Sequence, residues 1–381
     1  VTAARLHVAG LTVARFRSHA RASLDLDGRP VALWGPNGAG KTNLLEAVSL
    51  LSPGRGLRRA RGEELARAGS PAWRIRAKVV RDGAARAVVL TGEADGRRRV
   101  EIDGKAETQT ALGALAPMLW LTPAMDRLWI EGAEGRRRFL DRAALSFEPG
   151  HAEAALGYDK AMRERNRLLK DGPRDPRWLD ALEARMAEAG LAIARARATA
   201  AGRLTAAQTG AKSLFPMAEI AIVGELEQRV AADAAGGALG EAEAAVIMDE
   251  FRLTLARGRH QDAAAGRALN GPHRSDLSAI FAEKGIEARL CSTGEQKALL
   301  ISLTLGNARA LSDGGPPILL LDEVAAHLDA GRRAALYDEV CALRAQAWMT
   351  GTGPELFAEL GARAQQFVVA DSPDGSTVAP A

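Results

Sequence analysis

The chain has 381 residues, 47% hydrophobic and 26% charged, with a net charge of +4, which is the balance of a folded globular protein with room for two or three domains. No run of eighteen or so apolar residues occurs, and Arg5, His7 and Arg15 punctuate the N-terminal segments, so a membrane span or signal peptide is not expected and a cytoplasmic setting is. The two cysteines, Cys291 and Cys341, lack CxxC spacing or histidine pairs nearby, which argues against a zinc site or a disulfide framework.

Short strands are expected over 6–8, 11–16 and 23–26, then a turn at Asp27-Gly28 and a strand over 31–34. Tight turns between short strands imply antiparallel pairing. The last strand runs into Gly35-Pro36-Asn37-Gly38-Ala39-Gly40-Lys41-Thr42, which fits the phosphate-loop pattern G-x-x-x-x-G-K-[ST] at every fixed position. In such a loop the glycines let backbone N–H groups turn inward around a β-phosphate, Lys41 sets a point charge on the β/γ oxygens, and the Thr42 hydroxyl ligates Mg²⁺. A helix starting near Lys41 aims its positive end at the same anion. The strand before the loop and the apolar helix positions after it (Leu44, Leu45, Ala47, Val48, Leu51) argue against a chance glycine-rich turn. Gly35, Asn37, Gly38, Ala39, Gly40, Lys41, Thr42 and Asn43 are therefore the expected ATP-binding residues.

Ser52-Pro53-Gly54 breaks the helix, and an arginine-rich connection leads to a second β-rich stretch: strands over 73–80, 87–90 and 98–102, with turns at Asp82-Gly83 and Asp103-Gly104. From His151 helix formers dominate. Trp178, Leu182, Met186, Ile193, Ala196, Ala200 and Leu204 keep roughly helical spacing, and a breaker at 171–176 separates them from the preceding helix, which describes a helical hairpin. A Gly- and Ala-rich turn at 231–240 precedes an amphipathic helix over 241–255, with Val246, Ile247, Phe251 and Leu255 on its apolar face. The expected division is 1–147 with the phosphate loop and a β-subdomain, 148–265 as an inserted helical lobe, and 266–381 completing the first fold.

Ile318-Leu319-Leu320-Leu321 is a fully apolar run ending in Asp322-Glu323, the form of a buried parallel strand delivering acids to its carboxyl end. Asp322 has the position of a Walker-B ligand to Mg²⁺, shared with Thr42. Glu323 can polarise the attacking water, so it and Lys41 are the expected catalytic residues. Asp322 lies 281 positions after Lys41, so one fold is interrupted by an insertion.

Before that strand stands Ser292-Thr293-Gly294-Glu295-Gln296, just ahead of a helical run. The pattern alone is a capping box. Its place before the acidic strand makes it resemble the signature motif of ABC-type ATPases, and the fold class is then α/β, an ABC-type P-loop ATPase head with an antiparallel β-subdomain and an inserted helical lobe. The resemblance implies that Ser292 to Gln296 complete the γ-phosphate site of a second subunit in trans. Ala325-Ala326-His327-Leu328-Asp329 resembles the D-loop, with Asp329 at the subunit junction. No switch histidine follows the acidic strand; Thr350 and Thr352 are the switch candidates, and His327 is not assigned a catalytic role. No glutamine stands in a clear Q-loop context: Gln109 is a weak candidate, and Leu121-Thr122-Pro123-Ala124 occupies the region where that loop is expected.

Within this class the chain resembles the RecF family of bacterial DNA-repair ATPases along most of its length. The stretches that carry this are Lys41-Thr42-Asn43-Leu44-Leu45-Glu46-Ala47, Pro53-Gly54-Arg55 with Arg58-Arg59, Arg137-Arg138-Phe139-Leu140-Asp141, Tyr158 with Arg165-Asn166-Leu168-Leu169, and Gly271-Pro272-His273-Arg274-Ser275-Asp276-Leu277. The resemblance implies an ATP-dependent homodimer on duplex or gapped DNA, with slow DNA-stimulated hydrolysis that resets a clamp. It also implies cooperation with RecR and RecO in placing recombinase during repair, replication and the SOS response. Arginine clusters at 55–61, 97–99, 136–138 and 163–167 suit a polyanion or a solvated surface, and Arg58 or Arg59 reaches the nucleotide or the DNA. Sparse aromatic residues (8 Phe, 6 Trp, 2 Tyr) favour backbone contact over base stacking. The alternative is the motor subunit of a membrane transporter, disfavoured by the 251 positions between Lys41 and Ser292.

Overall fold

The computed structural model describes residues 5–93, 96–172, 176–233, 240–311 and 315–381. The chain divides into two compact units: Val1–Arg127 with Ala207–Met217 and Ser292–Ala381, and Leu128–Ala206 with Ala218–Cys291. The first unit opens with β1 (Leu6–Phe16), β2 (His19–Asp25), β3 (Val31–Trp34), α1 (Lys41–Ser49), β4 (Ala72–Arg81), β5 (Ala84–Glu93), β6 (Arg98–Ile102), β7 (Lys105–Glu107), α2 (Leu112–Leu115) and β8 (Met118–Leu121). The second contributes α3 (Ala133–Phe147), α4 (His151–Asp171), nearly all of α5 (Pro176–Gln208), β9 (Ala218–Val223), α6 (Glu225–Asp233), α7 (Glu241–Arg257), α8 (Arg259–Ala265), β10 (Asp276–Phe281) and β11 (Ile286–Glu287). The chain then returns to the first unit with α9 (Thr293–Ala310), β12 (Ile318–Leu321), α10 (Ala330–Ala342), β13 (Ala347–Gly351), β14 (Gln365–Ala370) and β15 (Thr377–Pro380).

Two sheets build the first unit. One is antiparallel, in the order β2-β1-β4-β5-β6-β7. The two strands expected over 6–8 and 11–16 are one strand, β1, whose register against β4 shifts between Val8 and Gly10. A bulge there adds one residue and reverses the alternation, so Leu6 and Val8 before it and Leu11 and Val13 after it all face the core. The change of phase is what makes the stretch read as two strands.

The other sheet has the order β15-β14-β3-β13-β12-β8, with β14, β3, β13, β12 and β8 parallel and β15 an antiparallel edge. Strand β8 was not expected from sequence; Met118-Leu119-Trp120-Leu121 is a four-residue apolar run with no periodicity of its own, and it pairs with β12 residue for residue. Gln346 ties the sheets together. Its amide oxygen accepts from the Val8 N–H at 2.8 Å and its nitrogen donates to the Val8 carbonyl at 3.0 Å, so a fully buried side chain satisfies both backbone groups of Val8, a position that the β2 register does not reach.

In the second unit α4 and α5 form the expected hairpin, and their inner faces join Ile247, Phe251 and Leu255 of α7 in one apolar cluster. Two positions differ from the periodicity: Trp178 is 62% exposed and Val246 51% exposed, while Leu179 takes the inward place beside Trp178. A helical stripe is read to within about one residue of phase, and each misplaced side chain sits at that margin.

The unit is also larger than 148–265. Residues 128–147 and 266–291 belong to it because β10 pairs antiparallel with β9, and Arg136 of α3 makes a bidentate pair with Asp276 at 2.7 and 2.8 Å. Strand partners far apart in sequence leave no compositional mark. Positions 173–175 of the predicted breaker and 234–239 of the predicted turn lie outside the described residues.

Buried ions organise this unit. Arg165, fully buried, donates to Glu183 at 2.9 Å and Asp262 at 2.6 Å, and Arg197 donates to Asp141, Glu227 and the Ser275 hydroxyl at 2.7 Å each. His151 also meets Asp141, and with Arg197 it holds that carboxyl well below the usual range although burial alone would raise it. The Tyr158 hydroxyl lies 2.9 Å from His273 Nδ1, whose ring contacts the Ala268 carbonyl through Nε2 at 3.0 Å. Thus Tyr158, Arg165 and the Gly271–Leu277 stretch, scattered in sequence, serve one packed core.

Candidate nucleotide-binding site

The phosphate loop lies between β3 and α1, with positive φ at Gly35, Gly38 and Gly40, and at two of the three the surroundings also leave no room for a Cβ. A Cβ on Gly35 would stand 2.0 Å from the Val369 carbonyl oxygen of β14. Gly40, at φ 100, caps α1 and has the Ser376, Ser18 and His19 side chains within 2.9 Å of where its Cβ would be. Asn37 and Gly38 are exposed, whereas Gly35, Ala39, Gly40 and Lys41 are buried.

Lys41 donates to the Gly35 and Pro36 carbonyls at 2.7 and 2.8 Å, leaving one of its three N–H groups for an anion in the loop. Burial lowers its pKa, opposed by the carboxylates of Glu323 and Asp322.

Those carboxylates stand where β12 ends. Asp322 is 6% exposed, and its Oδ1 accepts from the hydroxyls of Thr42 and Thr350, each at 2.8 Å. Thr350 in turn accepts from the Glu323 N–H at 2.8 Å. Glu323 has φ 55, a left-handed conformation that a non-glycine residue adopts only when its surroundings hold it there. Parallel pairing of β12 with β13 and of β13 with β3 carries these groups to one end of the sheet.

Of the two switch candidates, Thr350 is fully buried in this cluster, while Thr352 is exposed beyond the end of β13 and makes no side-chain hydrogen bond among the described residues. The described residues do not include the His327 side chain.

Ser292 is the N-cap of α9 and forms a full capping box with Glu295: its N–H and hydroxyl each donate to Glu295 Oε2 at 2.8 Å. Ser292, Thr293 and Gly294 are exposed, so the helix start presents its N–H groups outward. Gln296 differs, being 1% exposed within α9. Asp329 caps α10, accepting from the Arg332 N–H at 2.9 Å, with its side chain 67% exposed.

Arg58 donates to Asn43 Oδ1 at 2.8 Å and lies 3.7 Å from the buried Glu46, both on α1. Arg59 is exposed with φ 56. Gln109 accepts from Arg98 at 2.5 Å, just past the antiparallel sheet.

Several groups at this site went unnoticed in the sequence. Asn43 Nδ2 donates to Ser18 Oγ at 2.7 Å, and Arg17 makes a bidentate pair with Glu46, both bonds 2.8 Å. His19, fully buried, places Nε2 3.1 Å from the Gly40 carbonyl and Nδ1 3.1 Å from that of Ser376; burial lowers its pKa, opposed by those two carbonyls. Lys297 lies 3.6 Å from Asp126, its pKa lowered by burial and raised in turn by Asp126 and Glu323. The only available signal was Arg17-Ser18-His19 at a hairpin turn, which composition cannot connect to residues 25 or 357 positions away.

Loop and acidic strand share one parallel sheet to which an antiparallel sheet is joined, and this architecture defines an ABC-type ATPase head. The family model described as RecF/RecN/SMC N terminal domain matches residues 7–369. The DNA replication and repair protein RecF of Mesorhizobium japonicum is 48% identical over 99% of this chain and 98% of its own length. That of Rhizobium leguminosarum bv. trifolii is 46% identical over 96% and 98%. A solved structure described as the recombination mediator protein RecF-ATP in the RecFOR pathway has the same fold, with a TM-score of 0.80 at 22% identity over 100% of this chain and 99% of that one. The chain belongs to the RecF family of DNA replication and repair proteins. A transporter motor, weighed from the sequence, is set aside by that membership, and no helix among the described residues is long and apolar enough to cross a membrane.

Proposed function

We propose that the protein is a DNA-binding ATPase whose ATP-bound form is a homodimer. The observation that carries this is the hydrogen-bonded chain Thr42–Asp322–Thr350–Glu323 beside Lys41, combined with an exposed Ser292-Thr293-Gly294 helix start. The loop residues Gly35, Asn37, Gly38, Ala39, Gly40, Lys41, Thr42 and Asn43 hold the triphosphate. Thr42 and Asp322 fit a Mg²⁺ ion, since a hydroxyl and a carboxylate oxygen 2.8 Å apart are hard-oxygen donors converging on one point. That ion supplies charge neutralisation at the β/γ oxygens.

Glu323 orients and deprotonates the attacking water, and Thr350 holds both acids in register. Ser292, Thr293 and Gly294 of a second copy meet the γ-phosphate through the α9 N-terminus. Asp329 of each copy flanks that junction. Arg58, bonded to Asn43 on α1, belongs with the nucleotide. ATP then acts as dimer glue, and slow, DNA-stimulated hydrolysis opens a clamp on duplex or gapped DNA, with the second unit as its arm. Kinship with RecF proteins supports cooperation with RecO and RecR in loading recombinase, and work on chromosomal DNA sets the protein in the cytoplasm.

The test is Glu323→Gln, which keeps the binding geometry and removes the base. Light scattering with ATP should show the variant accumulating as a dimer while hydrolysis is lost. Monomers alone, in the presence of ATP and DNA, would refute the reading.

A further inference from the structure

Several arginines of the clusters conspicuous in the sequence are already paired within the protein. Arg136 pairs with Asp276, Arg138 with Glu134, Arg163 with Asp159, and Arg165 is fully buried between Glu183 and Asp262. Among the described residues, one set of unpaired cations lies outside those clusters, at alternate positions along the antiparallel sheet.

Strand β4 buries Trp73, Ile75, Ala77 and Val79 and exposes Arg74, Arg76 and Lys78 on the opposite face. Cross-strand register extends that face. Arg74 stands opposite Ala14, which stands opposite Arg21, and on its other side opposite Thr91, which faces Arg99. Arg76 stands opposite Thr12, itself opposite Ser23, and the two hydroxyls are 3.1 Å apart. Arg21, Arg74, Arg76 and Lys78 are all exposed and make no side-chain hydrogen bond or ion pair among the described residues. Of the acids on this face, Glu93 is paired with Arg99 at 3.1 Å, and Asp25 and Glu101 lie two strands from Lys78 and Arg76.

Alternate residues on a strand are about 6.7 Å apart, so Arg74 to Lys78 spans about 13 Å, and Arg21 is displaced from Arg74 by two strand spacings, about 10 Å. Four unpaired charges and two hydroxyls on one face of the sheet match a run of backbone phosphates, which rise about 3.4 Å per nucleotide in each strand. Guanidinium forks and hydroxyls recognise phosphate oxygens without reading bases.

We propose that this face of the antiparallel sheet, centred on Arg74, Arg76 and Lys78 with Arg21, is a docking surface for the phosphate backbone of duplex DNA. The proposal rests on the reading of the chain as a DNA-binding ATPase and adds where that contact falls. An acidic protein segment is a less suitable occupant, because the surface has no apolar anchor among the exposed positions of β4 to hold one.

The experiment titrates the full chain with a random-sequence duplex, with ATP present, across about 50 to 200 mM salt, comparing wild type with the triple variant R74Q/R76Q/K78Q. A second triple variant, R138Q/R163Q/R167Q, removes the same charge from exposed, locally paired positions. The first should bind at least about tenfold more weakly at low salt, with a salt slope shallower by about 3, as expected for three lost phosphate contacts. The second should keep the wild-type slope. Melting temperature and basal ATP hydrolysis should match wild type in both, which separates lost contact from lost fold. Equal slopes in wild type and R74Q/R76Q/K78Q overturn the proposal while leaving DNA binding intact. No salt-dependent binding by the wild type overturns the underlying reading as well. Loss of poly-glutamate binding in R74Q/R76Q/K78Q without loss of duplex binding assigns the face to an acidic partner and also overturns it.

Discussion

The Thr350 hydroxyl spans the two acids at the end of β12, donating to Asp322 Oδ1 and accepting from the Glu323 N–H, both at 2.8 Å. One small buried side chain therefore fixes the carboxylate and the backbone of the neighbouring residue at once. Substitution by valine keeps the shape and removes both bonds. A hydrogen bond to a charged group contributes about 2 kcal/mol, which corresponds to about a 30-fold fall in kcat. Steady-state hydrolysis by Thr350→Val should show that fall with nucleotide affinity within a few-fold of wild type, whereas Thr352→Val should be unchanged. Equal effects would place the switch at neither threonine.

Gly35 and Gly38 share one motif and differ in what surrounds them. Alanine at 35 drives a Cβ to 2.0 Å from the Val369 carbonyl oxygen, a backbone atom that cannot yield without moving β14. Alanine at 38, at φ 84, meets nothing within 4 Å and carries only backbone strain. Thermal unfolding should show a loss of about 3 kcal/mol for Gly35→Ala, and about 1 kcal/mol for Gly38→Ala. A reversed order would mean that the loop is not seated against β14.

His19 links the helix-capping Gly40 to Ser376. Its folded pKa is lowered from 6.5, burial being the main cause. The unfolded chain therefore binds a proton more readily, so the stabilisation is complete above about pH 6.5 and is lost as pH falls below that value toward the folded pKa. Wild type should lose more melting temperature between about pH 7.5 and about pH 5.5 than His19→Gln does. An identical pH response in both proteins would mean that His19 does not titrate in this window.

Arg165 and Arg163 are two residues apart on α4 with opposite fates. Removing Arg165 strands Asp262 and half of the Glu183 network in the core, so Arg165→Met should cost about 3–5 kcal/mol in urea unfolding. Arg163→Met breaks only an exposed helical pair with Asp159 and should cost about 0.5 kcal/mol or less. Comparable losses would show that burial is not what distinguishes them.

The phosphate loop, the acidic strand and the capped helix were legible in sequence because each is set by local chemistry. Glycines at fixed spacing admit backbone that other residues refuse, an apolar run closed by acids makes a buried strand, and serine with glutamate three residues on caps a helix. Strand β8, the extent of the second unit and the bonding of Thr350 to both acids depend instead on which distant strands pair. Local patterning is silent about such partners.

The same division applies to charge. Composition determined that arginine is abundant, and clusters at 136–138 and 163–167 drew the eye. Only tertiary structure decided which cations remain unpaired, because a guanidinium's freedom depends on whether folding brings a carboxylate within reach. For Arg165 it brings two, and for Arg74 and Arg76, alternating outward on β4, it brings none.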